Sequence, residues 1–124
     1  MKTNSKQIAW AISVVLAGLG LAGCSKNSDK LVTEQLNQSF EKADATVKQE
    51  VVQVNTAFQA GDYTRAISLM DQVVKNQPID AAQKQAVNTL IIQTRQAAQQ
   101  NPKLNTPELY KATEALMLSA HGEN

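Results

Sequence analysis

Seven apolar residues recur along one stretch of the chain: Leu36, Phe40, Ala43, Val47, Val51, Val54 and Phe58, in steps of three or four. Their mean spacing is about 3.7 residues, near the 3.6 of an α-helix and far from the two-residue period of a strand. The pattern predicts one long helix that starts at Ser28 or Asp29, both good N-caps, and runs to Ala60 with Gly61 as its stop. Such a helix would be about 45 Å long at 1.5 Å per residue. The spacing suits a straight helix packed within one chain better than a strict heptad zipper.

The rest of the body carries the same punctuation. Asp62 is placed to cap a second helix whose apolar face is Tyr63, Ala66, Ile67, Met70, Val73 and Val74, and Pro78 ends it. Asp80 with Gln83 three residues on makes a capping box for a third, with Ala86, Val87, Leu90, Ile91, Thr94, Ala97 and Ala98 at helical spacing. Asn101-Pro102 stops it, and Thr106-Pro107-Glu108 opens a fourth: cap, proline at the first helical position, acid at the positive helix end. Its buried face is expected to be Leu109, Ala112, Leu116 and Met117, with His121 to Asn124 as a frayed tail. No segment alternates long enough to predict a strand. The expected fold is all-α, a small bundle of about four helices.

The N-terminus has a different character. Met1 to Gln7 holds Lys2 and Lys6 and no acid, and Ile8 to Gly20 is an apolar run too short for a membrane span, which takes roughly 20 residues. Small residues and then polar ones follow. A basic start, a short apolar stretch and small residues describe a secretory signal peptide. At its end stands Leu21-Ala22-Gly23-Cys24, which resembles the lipobox of bacterial lipoproteins. The resemblance implies that the Cys24 thiol receives a diacylglyceryl group, that the leader is cut before Cys24, and that the freed amine is acylated. Residues 1–23 are then a cleaved signal peptide, 24–30 a lipid-anchored linker, 31–121 the helical domain and 122–124 a tail. Ser25 after the cysteine, where aspartate commonly signals inner-membrane retention, implies delivery to an outer membrane, facing the periplasm. A linker of about six residues reaches roughly 20 Å when extended, so the domain would sit near its membrane.

Composition narrows the function. The chain has 124 residues, 12 basic against 11 acidic side chains, a net charge of +1 and 19% charged residues, which excludes a strongly basic nucleic-acid binder. Cleavage would remove Lys2 and Lys6 and leave a nearly neutral body with no polybasic patch, so attachment would rest on the acyl chains, about 0.8 kcal/mol per buried CH₂. One cysteine excludes a disulfide or thiolate zinc site within the chain, and one histidine excludes a multi-histidine metal centre.

Gly61-Asp62-Tyr63-Thr64-Arg65-Ala66-Ile67, followed by Met70, Val73, Val74 and Pro78, resembles the turn and second helix of a tetratricopeptide repeat. That family places Gly-x-Tyr at the interhelical turn, a small residue where Ala66 stands, and a closing proline where Pro78 stands. Met70 replaces the usual aromatic and Val73 a second small residue. The preceding helix offers Glu50 and Val54 where the family has a large aromatic and a glycine, and no second Gly-Asp-Tyr follows. The match covers residues 61–78, and the chain is therefore expected to hold one tetratricopeptide-like hairpin within a small bundle rather than a solenoid.

Catalytic chemistry finds little to stand on. His121 lies beyond the last apolar anchor and reads as a solvated tail residue. Glu41 and Asp44 could share a helix face, but Lys42 and Lys48 beside them point to a solvated one. Ser28, Ser39, Ser68 and Ser119 have no nearby base in sequence and no nucleophile elbow. Arg65 and Arg95 are isolated cations, and no glycine-rich phosphate loop occurs. Gln93, Gln96, Gln99 and Gln100 cluster at the end of the third helix, a surface able to make adaptable hydrogen bonds. The expectation is a membrane-anchored lipoprotein acting as a non-catalytic protein-interaction module of the cell envelope, without cofactor or metal, with a monomeric soluble body and an envelope protein as partner. The alternative is a structural envelope lipoprotein that self-associates through the long first helix.

Overall fold

The computed structural model describes residues 29–122. The leader, Cys24 and the linker up to residue 28 lie outside the described residues, as do Glu123 and Asn124. Among the described residues there are five α-helices and no strand: α1 (29–39), α2 (Ala45–Gln59), α3 (Tyr63–Asn76), α4 (Ala81–Gln100) and α5 (Pro107–His121), with a single 3₁₀ turn at Pro102–Leu104.

The fifth helix comes from a break in the stretch expected to be one rod. After α1 the chain turns through residues 40–44, where the Glu41 amide donates to the Gln38 carbonyl and the Ala43 amide to that of Phe40. Asp44, extended at ψ 154°, then opens α2. Aspartate favours helix starts over helix interiors, so the break falls where the sequence offers a start. The Asp44 side chain itself makes no capping bond. The apolar stripe survives the corner: Leu36 and Phe40 before it and Val51, Val54 and Phe58 after it are all buried, while Ala43 and Val47 pack against the core at the bend. α2 folds back along α1, so that Asn55 Nδ2 donates to Asn37 Oδ1 across the pair at 2.9 Å.

The α2–α3 turn is set by Gly61. Its φ of +79° is a left-handed conformation that an L-residue adopts at a cost. The Gly61 amide donates to the Phe58 carbonyl at 3.0 Å and the Asp62 amide to that of Ala57 at 2.9 Å, the paired bonds of a Schellman motif. The Asp62 carboxylate then accepts from the Arg65 amide at 3.3 Å, so one residue closes α2 and opens α3. The remaining caps stand where the sequence puts them. The Asp80 carboxylate accepts from the Gln83 amide and the Gln83 side chain from the Asp80 amide, at 2.8 and 2.9 Å. Thr106 Oγ1 accepts from the Leu109 amide at 3.2 Å with Pro107 in the first turn.

α3 is the central helix, packed closely against both α2 and α5. Its Ala66, Ile67, Met70, Val73 and Val74 are buried, as are Ala86, Val87, Leu90, Ile91 and Thr94 of α4. Burying each of the larger apolar side chains is worth about 1.5–3 kcal/mol against leaving it in water. α4 closes onto α1 at the other side, where Gln83 Nε2 donates to the Ser39 carbonyl at 3.2 Å. On α5 the buried face is Leu109, Thr113, Leu116 and Ala120. Met117, expected inside, is instead 37% exposed. Thr113 takes an inward position because its hydroxyl donates to the Leu109 carbonyl one turn back, at 2.7 Å, and so enters the core already paired.

Candidate functional site

Two regions gather the side chains of chemical interest. The first is the seam between the antiparallel helices α4 and α5. Arg95 Nη2 lies 3.0 Å from Met117 Sδ. Towards the other end, His121 Nε2 lies 2.6 Å from Asn88 Oδ1. Asn88, Ile92 and Arg95 are spaced by four and three on α4, so they share a stripe along this seam. Ile92 is 52% exposed, and on α5 Tyr110 and Leu118 are about two-thirds exposed. Four of the six large hydrophobic side chains exposed among the described residues belong to these two helices. Gln96, Gln99 and Gln100 continue α4 as exposed residues and Gln93 is half-buried beside them. The result is a surface of mixed character, with apolar side chains between a guanidinium, an imidazole and a run of amides.

His121 is thus not a frayed tail residue. It is the last residue of α5, next to the buried Ala120, and its ring is engaged by Asn88 on the neighbouring helix. That pairing leaves no local sign around His121, because the partner is 33 residues away.

The second region is the end of the bundle where α3 and α5 finish. Ser119 Oγ donates to Asp71 Oδ1 at 2.6 Å, and Lys75 Nζ pairs with the other carboxylate oxygen at 2.7 Å. Ser119, which in sequence has no base nearby, therefore has a carboxylate beside it in the fold. The Asp71 side chain is mostly shielded and the Lys75 side chain mostly exposed. A cleft of about 420 Å³ opens beside them, lined in part by Lys75, Pro78, Ile79, Lys84 and Ser119. Chemically this group is a tie between helices: Asp71 accepts from α5 and from its own helix one turn on. The imidazole nearest in sequence, His121, is turned to Asn88 rather than to Ser119.

The other residues singled out in the sequence are dispersed. Glu41 and Asp44 sit exposed on the corner between α1 and α2 and do not share a helix face. Ser39 Oγ donates to the Leu36 carbonyl of its own helix, and Ser68 and Arg65 are exposed on α3. Cys24 and Ser28 lie outside the described residues. Two smaller clefts flank α1: one of about 270 Å³ against α4, lined by Gln35, Gln38, Ser39, Ala82, Gln85 and Ala86, and one of about 230 Å³ against α2. Among the described residues no group of three or more His, Cys, Asp or Glu could hold a metal ion, and no helix is long and apolar enough to cross a membrane.

No family model matches the chain, and no curated protein or solved structure matches it.

Proposed function

We propose that the protein is a bacterial lipoprotein, anchored in the outer membrane through acyl chains on Cys24, whose helical body is a non-catalytic protein-interaction module facing the periplasm. The observation that carries this reading is the basic, then apolar leader that ends in Leu21-Ala22-Gly23-Cys24. The resemblance of residues 61–78 to the turn and second helix of a tetratricopeptide repeat supports it, since such repeats present helix faces to other proteins. The α4–α5 seam is the surface we assign to the partner, because apolar side chains there stand exposed among adaptable polar ones. The alternative, self-association through a long first helix, has no continuous helix to use between residues 29 and 59.

Site-specific crosslinking in intact cells tests the reading. A photo-crosslinker at Ile92, on the seam, is expected to give a discrete adduct with another envelope protein, while the same group at Gln53, exposed on α2, gives none. Adducts of equal yield from both positions, or only with a second copy of this chain, would contradict it.

A further inference from the structure

The contact between Arg95 and Met117 has a chemical consequence. The chain has three methionines: Met1, in the leader, Met70 and Met117. Met70 is wholly buried in α3, whereas Met117 reaches the surface of α5. A thioether is a weak acceptor, yet the Met117 sulfur has a guanidinium nitrogen 3.0 Å away. Oxidation to the sulfoxide replaces that sulfur lone pair by an oxygen carrying substantial negative charge. In a core such a change disrupts packing. At Met117 the new oxygen forms beside a cationic donor, and charge-assisted hydrogen bonds are the strong ones.

We propose that Met117 is a reversible oxidation site for peroxides, and that Arg95 receives the sulfoxide oxygen, so that oxidation makes the α4–α5 seam more polar without unfolding the bundle. In the step a sulfur lone pair attacks one peroxide oxygen and the S–O bond forms as the O–O bond breaks. With hydrogen peroxide the thioether is oxidised by two electrons and the peroxide reduced by two, and the departing hydroxide takes the proton given up by the attacked oxygen and leaves as water. The inference rests on the positions of Met70, Arg95 and Met117 alone and stands whether or not the seam binds a partner.

The test is graded hydrogen peroxide treatment of the full chain, followed by peptide mapping and thermal melting. Met117 is expected to gain one oxygen to completion before Met70 gains any, and methionine sulfoxide reductases should return the original mass. Oxidised wild type should melt where the reduced protein melts, while oxidised Arg95→Leu should melt below its own reduced form. Oxidation of Met70 in step with Met117 would overturn the proposal without recourse to any variant. An equal loss of melting temperature on oxidation of the wild type and of Arg95→Leu would remove the role of Arg95.

Discussion

The rings of Phe58 and Tyr63 meet edge to face, 5.2 Å between centroids and 77° between planes, across the turn that joins α2 to α3. Phe58 is among the last core residues of α2, and Tyr63 is the first residue of α3. The contact closes over the left-handed Gly61, which lets the chain reverse between them. A Cβ at Gly61 would meet nothing within 4 Å, so the demand for glycine there comes from the backbone alone. Gly61→Ala should therefore lower stability by about 1–2 kcal/mol, the cost of a left-handed L-residue, and Gly61→Asn by less. Denaturant titration of both variants checks this, and a neutral Gly61→Ala would mean that the turn relaxes to another conformation.

Ala66 and Arg65 test the phase of α3. Ala66 is fully buried in the core, and Arg65 is exposed one residue earlier. Ala66→Leu should overpack the core and cost about 1–3 kcal/mol. Arg65→Leu should change the melting temperature little. Equal effects at the two sites would place the helix in a different rotation, and the tetratricopeptide-like alignment of residues 61–78 would lose its anchor.

Thr94 offers a gain rather than a loss. It is fully buried in α4, and its Oγ1 has no hydrogen-bond partner. A buried hydroxyl left unpaired costs about 1–3 kcal/mol of desolvation. Thr94→Val keeps the branched shape and removes the hydroxyl, so the variant should melt higher than wild type. A lower melting temperature would show that a water molecule or a shifted side chain pairs the hydroxyl in solution.

These residues also show what a single chain discloses of its fold. Caps and stops are local chemistry. Asp62, the Asp80–Gln83 box, Pro78 and Thr106-Pro107 act within a few residues of where they stand, and each helix boundary they predict is present. The break at residues 40–44 was hidden because the corner preserves the spacing of the apolar stripe, and spacing is all that periodicity measures. Met117 is exposed, against the expectation from spacing, for a related reason. Its position on α5 borders the buried stripe, and tertiary packing decides that Thr113 and Ala120 turn inward while Met117 meets Arg95. The pairings that define the two candidate regions, Ser119 with Asp71 and His121 with Asn88, join residues 48 and 33 positions apart and leave no local trace.

Attachment of the helical body to a membrane depends on the fate of Cys24. The intact mass of the protein extracted from membranes of its native host measures it directly. The predicted species starts at Cys24, carries acyl chains and lacks Trp10, so that tyrosine is its only strong fluorophore. The Cys24→Ser variant should retain its leader and take up no lipid. A wild-type chain recovered without acyl mass and still bearing Trp10 would contradict the assignment as a lipoprotein, and with it the placement of the helical body at a membrane.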